Sequence, residues 1–438
     1  MMDNFLGSIT VVLIVVAATS GNLLLSFVFL YPFFMSFLWI TGGLYYCWHW
    51  ERHLPGPDDA PPLPPDPPLV SILVPCFNEG DNVDDTIGSL LEQTYPNFEI
   101  IAVNDGSRDD TRERLDRLAA AHPRLRVIHF ASNQGKAMAL NMATLAARSE
   151  FLVCLDGDAV LHRNCVSWMV LPLLQHPRVG AVTGNPRIRT RSTILGRVQV
   201  GEFSSIIGLI KRAQRSYGRI YTVSGVIAAF RKRALQRIGY WNTNMVTEDI
   251  DVSWRLQCDA WTIHYQPAAL CWILMPETLR GLWRQRMRWA QGGTEVFLRY
   301  IRSIWKWRLR RMWPLLLEFS LSTAWAFALG LAVLLWVLGK FIDMPEGLNV
   351  PTIFPPAFWG LMLAAACVLQ FLVALLIERR YERDLLRELP WIIWYPLAYW
   401  LLSALTSIAG FFKAVVRSRR RRAVWVSPDR GVRTFAKH

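Results

Sequence analysis

Phe151-Leu-Val-Cys-Leu-Asp-Gly-Asp158 is the stretch that decides the fold. Five apolar residues closed by Asp-x-Asp read as a buried strand that delivers two carboxylates to a sheet edge, where open α/β folds bind ligands. Hard divalent cations take one or two such carboxylates together with substrate phosphates. Alone, Asp-Gly-Asp is more often a plain turn. Its weight comes from two motifs later in the chain, the acidic pair Glu248-Asp249 and the box Gln285-Arg-Met-Arg288-Trp289.

On either side of it, Val70–Val74, Phe98–Val103 and Arg126–Phe130 read as further buried strands, and Val226–Phe230 is strand-like. Helical stretches at 82–93, 109–121 and 135–148 separate the first four strands. Short apolar strands alternating with helices imply a parallel sheet covered on both faces. The expectation is an α/β, Rossmann-like catalytic domain over 70–278 with a mainly parallel sheet, embedded in an α-helical transmembrane protein.

The flanks supply the membrane part. No formally charged side chain lies between Asp3 and Glu51. One helix of that length would reach about 70 Å, against a hydrocarbon core of about 30 Å. A break at Thr19-Ser-Gly-Asn22 is therefore expected, giving two spans within 1–50, near 3–19 and 24–48. Residues 55–68 hold eight prolines, a semi-rigid spacer that makes 51–69 a linker. Residues 279–313 read as amphipathic, Trp- and Arg-rich interface helices. Within 314–416, Leu315–Leu338 and Phe358–Ile377 are long enough to span. Pro390–Val416 is ambiguous: its length favours a complete span, whereas basic runs at 379–387 and 417–422 place both its flanks on one side. Residues 417–438 form a basic tail.

Composition narrows the function. The chain has 438 residues and a formal charge of +14. Its arginines cluster beside apolar stretches, which fits anionic lipid and argues against nucleic acid. Seven scattered cysteines without Cys-x-x-Cys argue against a disulfide framework or a zinc site. No Walker loop is present, which weakens an ATP-driven transporter.

The chemistry-bearing residues fall at strand ends. Pro75, Asn78 and Glu79 follow the first strand, and Asp105 follows the second, where an acid can meet a ribose or base edge. Lys136, after glycine at a helix start, suits a phosphate, although a surface lysine is the plain alternative. Asp156 and Asp158 are the candidate metal ligands, and Asp156 also a substrate contact, for a cation that neutralises a departing diphosphate. Asp249 is the candidate general base, with Glu248 beside it; the plain alternative is a pair of helix caps. Ser224 and Gly225 are placed at the acceptor. Arg288 suits phosphate and Trp289 a sugar face, with Gln285 in the same box. Arg284 and Arg286 are read as interfacial.

Together these motifs resemble family 2 processive glycosyltransferases over roughly 70–293. Within that family, Gly184–Ser192, Val223–Phe230, Met245–Asp251 and Arg288–Gly293 are most similar to the branch that builds poly-β-1,6-N-acetylglucosamine for biofilms. The resemblance implies a GT-A fold, UDP-N-acetylglucosamine as donor, and Mg²⁺ or Mn²⁺ at Asp156 and Asp158. It implies nucleotide contacts from Glu79 and Asp105, and diphosphate and acceptor contacts from Gln285, Arg288 and Trp289. It also implies a multi-pass protein of a bacterial inner membrane with a cytoplasmic catalytic domain, passing a growing glycan chain through the lipid bilayer. A small membrane co-subunit, with cyclic-di-GMP at its interface, belongs to the same implication. Two alternatives stay open: a synthase of another linkage (chitin, hyaluronan or cellulose type), and a catalytically idle channel subunit.

Overall fold

The computed structural model describes residues 2–345, 348–350, 352–353, 357–393, 395–417 and 422–423; most of the basic tail lies outside them. Eight strands form one sheet: β1 Val70–Cys76, β2 Phe98–Asn104, β3 Leu125–His129, β4 Phe151–Leu155, β5 Val160–Leu161, β6 Val179–Ile188, β7 Ile227–Arg231 and β8 Thr262–Ile273. Their order is β3-β2-β1-β4-β7-β6-β8-β5. The half from β3 to β4 is parallel throughout. β7 then enters antiparallel between β4 and β6, and β8 pairs parallel with β6. The expected mainly parallel α/β sheet is present, and β4 ends at its centre.

Helices α2 Val83–Leu91, α3 Thr111–Ala121, α4 Lys136–Ala146 and α5 Cys165–Gln175 flank the parallel half. One apolar cluster runs from Ile72, Ile100 and Val153 to Trp168, and a second joins Leu73, Ile101 and Leu152 to Leu140 and Phe230. Each strand is thus apolar on both faces, as a doubly covered sheet requires. β6 and β8 were not expected. β6 contains Gly180, Gly184 and Pro186, which read as turn signals, and the register shifts between Val179/Ala181 and Thr183/Asn185 accommodate them.

After β6 the chain runs through α6 Ile194–Phe203, a π-helical stretch Ser204–Ile210, and α7 Lys211–Tyr217. Then come α8 Lys232–Ile238, α9 Glu248–Cys258 and α10 Leu279–Ile304. The proline-rich linker lies on the domain: Tyr95 Oη donates to Pro68 O at 2.7 Å, and Asn164 Nδ2 to Asp58 O at 2.9 Å.

Among the described residues, four helical segments are long and apolar enough to cross a membrane: Leu23–Glu51, Trp307–Leu338, Phe358–Glu378 and Tyr399–Val416. They belong to α1 Met2–Tyr46 with its short π-helical extension, α11 Trp313–Leu338, α12 Ala357–Glu378 and, past the single turn α13 Leu389–Ile392, α14 Tyr395–Val416. The break expected at Thr19–Asn22 is absent, because α1 is one continuous helix. A single Gly21 among helix formers costs about 1 kcal/mol, too little to end a helix.

α14 lies beside α10. Tyr399 clusters with Leu282, Gly410 abuts Ala290, and Arg417 Nη1 is 2.9 Å from Glu295 Oε2, so the two run parallel over the length of α14. Before it, Glu382 pairs with Arg191; after it, Ala423 N donates to Thr243 O at 2.9 Å. Length permits a complete span, while the residues on either side of α14 both meet the catalytic domain.

A buried ion network fixes the membrane helices to the sheet. Arg212 of α7 is fully buried, with Nε 2.6 Å from Glu51 Oε2 and Nη1 against Glu378 at the end of α12. Glu378 also pairs with Arg187 and accepts from Asn185 Nδ2 at 3.1 Å, both in β6.

Candidate active site

Lys136 opens α4, and its ammonium stands between three elements. Nζ lies 2.5 Å from Asp156 Oδ1 and 3.2 Å from Glu248 Oε1, and donates to Gly225 O at 3.0 Å. It is no surface lysine. Burial alone would lower its pKa, but Asp156 and Glu248 outweigh burial and raise it. One cation thus gathers the end of β4, the start of α9 and the turn before β7.

The β1 end closes on the same place. A Cβ on Gly157 would sit 3.0 Å from Pro75 O and 3.0 Å from Glu79 Cγ, so only glycine lets the Asp156–Asp158 turn come this close. Glu79 is buried and accepts from Asn82 Nδ2 at 3.0 Å. Asn78 takes a left-handed φ of 54°, its N–H donating to Ser107 Oγ at 2.9 Å and its Oδ1 accepting from Arg108 N at 3.0 Å. The ends of β1 and β2 are stitched together by these bonds. Asp105 is fully buried and accepts from Gln134 N at 2.7 Å and Gly135 N at 2.9 Å. Both of its oxygens hold the loop that delivers Lys136, a duty its position in the sequence did not announce.

Asp249 is half-buried at the start of α9. A Cβ on Gly225 would lie 3.0 Å from Asp249 Oδ2, so the Val223–Gly225 turn presses against this carboxylate. Burial first, then Glu248, push the Asp249 carboxyl up to about 6, against Lys136 and Arg288. A carboxyl held near neutrality is suited to taking a proton. Neither side chain of the pair caps α9 in the usual way: the N-cap residue is Thr247, and it makes no side-chain cap bond.

The Gln285–Trp289 box lies on α10. Arg288 is exposed and within electrostatic reach of Asp249. Trp289 packs on the main core cluster, 6.4 Å from the Phe203 ring. Gln285 Nε2 reaches Met275 Sδ at 3.8 Å, and its Oε1 is buried without a partner. Arg284 is exposed. Arg286 is not interfacial: it is buried, 2.5 Å from Glu202 Oε2, with its guanidinium 4.4 Å from the Trp289 ring centre. The Arg286–Glu202 pair therefore sets the plane of Trp289, and the only signal in the sequence was the arginine's place inside the box.

Among the described residues, no cluster of three or more His, Cys, Asp or Glu could hold a metal alone. Asp156 and Asp158 offer a hard, all-oxygen pair. Burial, followed by Asp158 and Glu248, keeps the Asp156 carboxyl above the ordinary range despite Lys136. Such crowding of carboxylates suits a cation completed by substrate oxygens, as Mg²⁺ prefers.

The sequence over 67–292 matches the family model described as glycosyltransferase like family 2. The chain belongs to glycosyltransferase family 2. A poly-β-1,6-N-acetyl-D-glucosamine synthase of Staphylococcus epidermidis is 40% identical over 407 residues, covering 93% of this chain and 98% of that protein. Its Staphylococcus aureus (strain MSSA476) namesake is 38% identical over 411 residues, with the same coverage. The fold is also that of a mannosyltransferase from Pyrobaculum calidifontis solved with GDP-Man and Mn²⁺, at TM-score 0.60 and 23% identity, covering 90% of this chain and 99% of that one. Membership of family 2 makes the chain a glycosyltransferase.

Proposed function

We propose that this protein is a processive, inverting glycosyltransferase that polymerises N-acetylglucosamine from UDP-N-acetylglucosamine into poly-β-1,6-N-acetyl-D-glucosamine. The product and its linkage follow the relatives that align along nearly the whole chain, and the donor is the one that the sequence resemblance implies. The observation that carries the transfer itself is the meeting of Asp156, Glu248 and Gly225 on the Lys136 ammonium, with Asp249 against that same glycine.

In this reading Asp156 and Asp158 hold Mg²⁺ or Mn²⁺. Held there, such an ion would supply charge neutralisation at the diphosphate. Lys136 and Arg288 add fixed positive charge on either side of the leaving group. Glu79 and Asp105 flank the nucleotide. Asp249 accepts the proton of the acceptor's 6-hydroxyl as its oxygen attacks the anomeric carbon from the face opposite the diphosphate. The bond to the diphosphate breaks, UDP departs, and the configuration inverts. Glu248 keeps Asp249 basic enough for this duty.

Trp289 is a stacking face for the chain end, held flat by Arg286 and Glu202. It lies on α10, directly before the span Trp307–Leu338, so each addition feeds the polymer towards the bilayer. Arginines 379, 380, 383 and 387, beside the end of α12, support a catalytic domain on the cytoplasmic face, in this reading of a bacterial inner membrane. A small membrane co-subunit, with cyclic-di-GMP at the contact, completes the proposal.

The test is incorporation of radiolabelled N-acetylglucosamine by membranes carrying the protein, followed by digestion with linkage-specific hexosaminidases. Product cut by a β-1,6-specific enzyme supports the reading. A product resistant to it moves the protein to another synthase of the family, and no product with donor, metal and co-subunit present refutes polymerisation.

A further inference from the structure

Lys211 stands outside every motif of the family reading, yet it is among the most enclosed charged residues of the domain. It opens α7 and is only 6% exposed. Its Nζ donates to Thr183 Oγ1 at 2.9 Å. Among the described residues no carboxylate lies within ion-pair distance of it. A buried ammonium without a carboxylate is costly to keep and calls for a reason beyond packing.

The reason lies one bond further on. Thr183 Oγ1 also accepts from Ser224 N at 2.8 Å. Ser224 is the middle of the Val223–Gly225 turn that presses on Asp249. That turn is held at two more points, one of them tied on to the backbone of Asp249. Val223 N donates to Ser253 Oγ at 2.9 Å, Ser253 Oγ donates to Asp249 O at 2.6 Å, and Lys136 Nζ donates to Gly225 O at 3.0 Å. Lys136 grips the turn at Gly225, and Lys211, through Thr183, at Ser224.

We propose that Lys211 is a positioning residue for the transfer: acting through Thr183, it fixes the Val223–Gly225 turn in the place that aligns Asp249 with the acceptor. Burial pulls the Lys211 amine down to about 7, while Asp249 acts to raise it. The base is therefore within electrostatic reach of this lysine, besides Glu248, Lys136, Arg288 and Tyr221, whose charges or dipoles also face it. The inference rests on the proposed role of Asp249.

The test is a double-mutant cycle on the full-length protein: Lys211→Met, Thr183→Val and the pair, with kcat and donor KM measured by UDP release. A shared relay predicts that each single change lowers kcat about tenfold with donor KM unchanged, and that the pair is no worse than the weaker single. Wild-type kcat in Lys211→Met, or losses that multiply in the pair, overturns it. If Lys211→Met does not fold, Thr183→Val against Thr183→Ser decides. The serine must keep activity and the valine lose it; equal activity of the two refutes the relay. Absence of UDP release from the wild-type protein would instead count against the proposed function.

Discussion

Lys136 Nζ lies 2.5 Å from Asp156 Oδ1, joining the first turn of α4 to the end of β4. The same ammonium is 3.2 Å from Glu248 Oε1, so the donor side and the base side of the site share one cation. Removing it as Lys136→Met leaves Asp156 and Glu248 facing each other without compensation. Donor affinity is expected to fall by at least about tenfold, since a charge-assisted contact to phosphate is lost as well. Asp158→Asn should weaken UDP binding only where a divalent cation is present. Titration of UDP with and without chelator checks both.

The base sets the pH response. Burial and Glu248 hold Asp249 at about 6, above an ordinary carboxyl. The ionised form is the one that accepts a proton, so kcat/KM should rise about tenfold per pH unit below 6 and level off above it. A profile flat from pH 5 to pH 8, with chemistry rate-limiting, would remove Asp249 from this role.

Gly225 tests the close approach. A Cβ there would sit 3.0 Å from Asp249 Oδ2, so Gly225→Ala must displace the carboxylate by a few tenths of an ångström. kcat should drop about tenfold or more while donor binding and thermal unfolding stay near wild type. Parallel kinetics and melting curves separate this from misfolding.

The motif residues were legible because each is short-range. Val70–Val74 and Phe151–Leu155 are apolar runs, and their acids follow within a few positions. What stayed hidden is set by contacts across long stretches of chain. β6 is a strand because β7 and β8 pair with it, despite Gly180, Gly184 and Pro186. Arg286 looked interfacial because its partner Glu202 lies 84 residues away. Lys211 and Thr183 belong to no motif, and only the folded sheet brings them under Ser224. The unbroken course of α1 and the contact of α14 with α10 likewise carried no local signal.

Glu378 joins the membrane helices to the sheet and is fully buried between Arg187 and Arg212. Glu378→Ala leaves two buried guanidiniums short of a carboxylate, although Arg212 keeps Glu51. Breaking a buried pair from one side costs about 3–5 kcal/mol. A clear fall in the unfolding temperature in detergent is expected, and an unchanged midpoint would show that the network is not holding the two parts together.

The most direct measurement is UDP affinity and polymer synthesis side by side in Asp249→Asn. The amide is isosteric and cannot take the acceptor's proton, so synthesis should fall by about 10²–10⁴-fold while metal-dependent UDP binding stays within about twofold of wild type. Polymer made at the wild-type rate by that variant would contradict the account.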